Sequence, residues 1–112
     1  MSRKIFINNH SIEIIEADTF FKRLVGLLGK DSLSKDKGML IKPCSSIHTF
    51  FMKFPIDVVF MDRRFKVIHI IENMQASKQS GYIKKSYQVL ELSAGMCRKY
   101  GISKNSILDI VK

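Results

Sequence analysis

Tryptophan is absent from this 112-residue chain, proline and cysteine occur only twice each, and acidic side chains number 10 against 19 basic ones. No apolar run approaches the roughly 20 residues that a membrane-spanning helix requires, so no membrane span is expected. Two cysteines, Cys44 and Cys97, cannot build a disulfide-dense secreted scaffold, and in a reducing compartment both are expected to be free thiols. Only Ile5-Phe6-Ile7 follows the basic start at Arg3-Lys4, too short an apolar stretch for a signal peptide, and a cytoplasmic location is expected. Three histidines, His10, His48 and His69, lie on separate segments, so neither a metal site nor a cofactor is expected.

What is present is ordinary globular material: 46% apolar and 26% charged residues, enough for one core and one domain over residues 1–112. The net charge of +9 is concentrated in the second half, where 10 basic residues face 3 acidic ones after position 62. Such a field attracts phosphate-rich partners. However, 14 lysines beside 15 isoleucines also fit a simple coding bias, and nucleic-acid binding is the weaker reading.

Alternating Ile5/Ile7 and Ile12/Ile14 predict a hairpin turning at Asn9-His10. A helix is predicted over about 18–29, with an apolar stripe from Phe20 to Leu28 and Gly29 to end it. Strands are expected at Met39–Ile41, Ile47–Met52, Asp57–Met61, Phe65–Glu72, Tyr87–Leu92 and Ile107–Val111, with Phe65–Glu72 central because it is apolar on both faces. Residues 73–85 are expected to form a long loop, and Ser93 to cap a second short helix at about 93–100. About seven or eight short strands with two short helices imply a mainly β fold, a sandwich or partly closed barrel.

Three blocks carry a family resemblance: Arg23-Leu24-Val25-Gly26-Leu27-Leu28-Gly29, Gly38-Met39-Leu40-Ile41, and Ser46-Ile47-His48-Thr49-Phe50-Phe51-Met52-Lys53-Phe54-Pro55-Ile56-Asp57-Val58-Val59-Phe60-Met61-Asp62. With Val89-Leu90-Glu91-Leu92 and Ala94-Gly95 downstream, the chain resembles the uncharacterised domain of unknown function 192 family over about residues 17–112. The resemblance implies a jelly-roll-like β-sandwich, with the first helix packed on it, in small bacterial and archaeal proteins of unestablished activity. Met74-Gln75-Ala76 and Ser103-Lys104-Asn105-Ser106 depart from the family's usual proline and Gly-Asp turn.

Cys44 and His48 are the most reactive pair, with Thr49 as a supporting hydroxyl and Asp57 able to orient an imidazole. Against this, a small buried thiol and a strand histidine bonded to backbone are the commoner fates of such residues. Asp57 follows a proline-interrupted segment, where its carboxylate is expected to accept backbone N–H groups. Cys44, His48, Met52 and Asp57 form the candidate binding pocket, flanked by Phe50, Phe51, Phe54, Phe60 and Met61, which a sandwich core would equally use. Arg63, Arg64, Lys66, Lys84, Lys85, Arg98 and Lys99 come from turns and helix ends, and several would converge if they share a surface.

The first expectation is a non-enzymatic accessory or binding domain. Loops 42–48 and 73–86 would meet a small ligand or a protein partner, such as a pilus- or secretion-associated component. The alternative is an enzyme using Cys44 as nucleophile and His48 as base. Without a complete catalytic set, the balance falls against catalysis.

Overall fold

The computed structural model of the chain describes residues 3–17, 37–50 and 52–111. Strands β1 (Arg3–Ile7) and β2 (His10–Ala17) form the expected hairpin, with Ile5 opposite Ile12. The turn falls at Asn8-Asn9, one residue earlier than expected, where the two asparagines take φ of 46° and 71°. A two-residue turn with both centres at positive φ matches the strand twist, and asparagine tolerates that conformation. Strand β3 (Lys37–Ile41) runs parallel to β2, a pairing that requires a long connection, and residues 18–36 supply its length. The helix predicted over 18–29 lies outside the described residues.

Four strands and a short helix complete the described chain: β4 (Ile56–Met61), β5 (Val67–Met74), β6 (Gln88–Ser93), α1 (Met96–Tyr100) and β7 (Asp109–Val111). The ladders join the strands into one mixed sheet, ordered β5-β4-β6-β3-β2-β1-β7. It is not closed into a barrel, although a lone bridge between Lys66 and Ile107 ties the approaches to its two edge strands. The fold is mainly β, as composition and periodicity predict, with one short helix among the described residues.

Period-two alternation delivers side chains to two apolar clusters, one on each face. Val59 and Met61 of β4, Leu90 and Leu92 of β6, Leu40 of β3, and Ile5, Ile12 and Ile14 of the hairpin form the first, sealed by Met96, Cys97 and Tyr100 of α1. Ile56, Val58 and Phe60, with Met39, Ile41 and Val89, form the second. That face is covered by Ile47 and Phe54, with Cys44, Met52 and Ile83 packed against them.

Three expectations are corrected. Among the described residues of Ile47–Met52 there is no strand: the ladder contact shown is the isolated His48–Gln79 bridge, and Met52 N–H bonds back to Thr49 O in a turn. Ile47 and Met52 serve as a lid on the second cluster rather than as part of a ladder. Strand β5 is an edge strand, not a central one. It is apolar on both faces because Val67 and Ile70 meet the first cluster while Ile68, Ile71 and Met74 meet the second. Ser93 does not cap α1, whose N-cap is Gly95, with no side-chain cap of its own, and whose C-cap is Gly101, both left-handed.

Gly38 lies where β3 meets β6, with no room for a larger residue. A methyl group there would stand 2.8 Å from Leu92 Cδ2 and 3.2 Å from the Glu91 carbonyl oxygen. Overpacking of this kind costs about 1–3 kcal/mol. Gly38→Ala is therefore expected to lower the thermal midpoint by roughly 5–15 °C, and a calorimetric melt equal to that of the unmodified chain would contradict this packing.

Candidate functional site

Asp57 is the second residue of β4 and sits opposite Leu92, so its side chain enters the first-cluster face. It is fully buried, and its carboxylate is surrounded by donors. Oδ1 accepts the Asn73 N–H at 2.8 Å, and Oδ2 accepts those of Gly95 at 3.0 Å and Cys97 at 2.9 Å. The donors are not those of the proline-interrupted segment: they come from the end of β5 and from the start of α1, whose first N–H groups have no partner inside the helix. Asp57 thus supplies from a neighbouring strand the cap that α1 lacks. At the helix's other end, Asn8 Nδ2 donates to Tyr100 O at 2.9 Å. Burial pushes the Cys97 thiol far above the ordinary thiol range, and the adjacent Asp57 carboxylate pushes it further, with a smaller contribution from Glu72.

Thr49 performs the equivalent task on the opposite face. Its buried hydroxyl donates to Gln75 O at 2.6 Å and accepts the Lys78 N–H at 3.0 Å. Its backbone takes Ser77 N–H and gives its own N–H to Lys78 O. Ser80 adds bonds to Ile47, Ser45 O accepts Ile83 N–H, and the Ser86 hydroxyl donates to Cys44 O at 2.9 Å. The segments around 44–49 and 75–86 are thereby stitched together, so the long loop carries fixed geometry despite its lack of periodicity.

Two shallow, adjoining grooves open on this end of the molecule, each of about 420 Å³ and sharing Ser86 and Tyr87. The first is polar and small-residue lined, with Pro43, Cys44, Ser45 and Ser46 on its wall. The Cys44 thiol donates to Ser46 O at 3.2 Å. The second groove is lined by Asp62, Arg63, Arg64, Tyr82 and Lys85.

Of the expected site residues, Cys44 lines a groove and Met52 packs nearby against the second cluster. His48 is not among that groove's lining residues: its ring stacks on Phe50, with centroids 4.7 Å apart. Thr49's hydroxyl is committed to backbone, and Asp57 lies on the far face of the sheet. The four candidates Cys44, His48, Met52 and Asp57 therefore do not gather on one face of the sheet. The aromatic groove is not assembled either, since Phe60 and Met61 point into opposite clusters and Phe54 is buried; Phe51 lies outside the described residues. Among the described residues no group of three or more His, Cys, Asp or Glu side chains gathers as metal ligands, and no helix is long and apolar enough to cross a membrane.

Sequence reasoning missed the pairing of Arg63 with Tyr87, whose guanidinium carbon stands 4.1 Å from the ring centroid. It also missed Glu91, fully buried on β6 between its ladder neighbours Met39 and Val58. An acid inside Val-Leu-Glu-Leu is the one signal that could have marked it.

A model of the domain of unknown function 192 family, described as "Uncharacterized ACR", matches residues 3–110. No curated protein matches the chain. A crystal structure from Sinorhizobium meliloti 1021, provisionally named a transcription regulator, superposes with a TM-score of 0.82 at 21% identity, covering 97% of this chain and 93% of that one. A protein of unknown function from Novosphingobium aromaticivorans DSM 12444 superposes with a TM-score of 0.80 at 18% identity, covering 100% and 84%. At these identities the likeness is one of fold.

Asp57→Ala leaves three N–H groups without their acceptor and is expected to cost about 3 kcal/mol or more. Asp57→Asn, which keeps one acceptor oxygen, should fall between the two in urea unfolding. Equal stability of all three proteins would contradict the capping role. The raised Cys97 pKa has a definite sign in linkage: above about pH 8.5 the unfolded thiol loses its proton while the folded one keeps it. Stability from this source is complete below that pH and is lost as pH rises beyond it. Melts between pH 7 and 10 should fall more steeply for the unmodified chain than for Cys97→Ala, and parallel curves would refute the assignment.

Proposed function

Because the chain belongs to the domain of unknown function 192 family, whose members are uncharacterised, function must be argued from the site, and we propose a non-enzymatic accessory domain that binds a small ligand or a protein partner through the grooves at the 42–48 and 75–87 loops. One observation carries this reading: the loops bordering the grooves are held rigid by Thr49, Ser80 and Ser86. A wall fixed in advance loses little conformational freedom when it binds. The groups an enzyme would need are occupied elsewhere, the Thr49 hydroxyl by Gln75 and Lys78 and the Asp57 carboxylate by the start of α1.

On this reading the protein works in the cytoplasm and its strands form a jelly-roll-like sandwich, as the family resemblance implies. Cys44 acts as a groove wall, its thiol held by the Ser46 carbonyl, and not as a nucleophile. With its thiol donating to the Ser46 carbonyl, its reactivity should be ordinary.

Two measurements check this. Iodoacetamide should modify Cys44 at pH 7 no faster than a free thiol; a rate enhanced tenfold or more would instead support the Cys44 enzyme. A thermal-shift screen of the full chain against metabolites, run beside a pull-down from native lysate, should yield at least one binder, and silence in both would remove the binding reading.

A further inference from the structure

The second groove has a specific charge pattern. Arg63, Arg64 and Lys85 stand around it with a single acid, Asp62, leaving a net charge of +2 at its rim. The acid does not reach out to neutralise them: Asp62 Oδ1 accepts the N–H groups of Arg64 at 2.8 Å and Lys66 at 3.0 Å. The same turn is closed by Phe65 N–H to Asp62 O and Asp62 N–H to Lys66 O. From the neighbouring strand, the buried Gln88 amide donates to Asp62 O at 2.9 Å. Both arginines are thus projected from a turn locked by its own carboxylate. On the facing wall, Lys85 sits at φ 71° and Tyr87 N–H bonds to Met61 O.

Two aromatic rings border these cations, and they differ. Tyr87 is covered by the Arg63 guanidinium, which leaves Arg63 with edge donors free for an anion. Tyr82 is 72% exposed, the most exposed large hydrophobic side chain among the described residues, and its ring face is available for stacking. The adjoining groove continues with the hydroxyl-bearing residues Ser45, Ser46 and Ser86.

Resting on the binding reading above, the geometry points to a site for one nucleoside monophosphate. Its dianionic phosphate would be held by Arg64, Lys85 and the free edge of Arg63, its base would stack on Tyr82, and its sugar hydroxyls would face the serines. Charge supports this, since a phosphate monoester carries close to −2 at neutral pH against the rim's +2. Size supports it too: about 420 Å³ falls within the range of small-molecule sites. A single-strand track would need successive open rings along a charged path; here one open ring accompanies one cluster of cations.

Calorimetric titration of the full chain with AMP, adenosine, inorganic phosphate and an oligothymidine 12-mer tests this assignment. AMP should bind, inorganic phosphate more weakly, and adenosine weakest. Arg64→Gln and Lys85→Gln, both at exposed positions, should each weaken AMP by about tenfold or more. Tyr82→Ala should weaken AMP roughly tenfold while leaving inorganic phosphate unchanged. Lys99→Gln, an exposed cation on α1, should leave AMP binding as it was. Equal AMP affinity in the Arg64, Lys85 and Lys99 variants would overturn the site. So would a 12-mer bound far more tightly than AMP, which would assign the groove to a nucleic-acid strand. Silence toward AMP, with an uncharged metabolite binding in the thermal-shift screen, would reject the nucleotide and leave the binding domain standing.

Discussion

One buried carboxylate sets the geometry on which the rest of this fold depends. Helix α1 has only five residues, too few to be stable alone in water. Its first N–H groups would be buried without partners against the sheet. Asp57 removes that penalty from the next strand over, and by also holding Asn73 it joins β4, the end of β5 and the start of α1 at one point. With Asn8 satisfying the carbonyl at the far end, the helix closes the first apolar cluster at little electrostatic cost. A charge so deeply placed is tolerable because three aligned N–H dipoles replace its water.

The opposite face uses the same device with a neutral group. Thr49 gives its hydroxyl hydrogen to one loop carbonyl and accepts from one loop amide, so a segment outside the ladders is still anchored. In both places a short polar side chain gathers backbone groups from distant parts of the chain. Polar groups whose identity suggests catalysis are thereby consumed by architecture, and the surface left open at the loop end is suited to binding.

Much of the sheet was legible from period-two alternation. Ile5, Ile7, Ile12 and Ile14 all turn inward as their spacing predicts, and Pro43 follows the end of β3. The errors have physical causes. Phe65–Glu72 looked central because burial on both faces resembles a central strand, yet an edge strand with register shifts on its partner does the same. Ile47–Met52 looked like a strand because aromatic and β-branched residues suit a ladder, but they suit a hydrophobic lid equally well. Within the group Cys44, His48, Met52 and Asp57, parity sets Asp57 apart: it is paired with Leu92 and so faces away from Cys44 and Met52. The basic turn residues were visible, but not which of them meet. Arg63, Arg64 and Lys85 converge only because β4 and β6 are neighbours, a fact about strand order that local spacing does not contain.

Strand order also links the two faces. From α1 the hydrogen bonds run through Asp57 to Asn73; two residues on, Gln75 O receives the Thr49 hydroxyl, which in turn holds Lys78. This series passes from the first cluster to the loops of the grooves. Contiguity alone does not transmit a signal, since transmission needs an element with two arrangements of similar energy. Here each hydrogen bond pairs a fully buried side chain, Asp57 or Thr49, with backbone groups, and breaking one leaves a buried polar group short of a partner. The series is better understood as a brace: it holds the groove loops in one arrangement by anchoring them to a fully buried residue of the sheet.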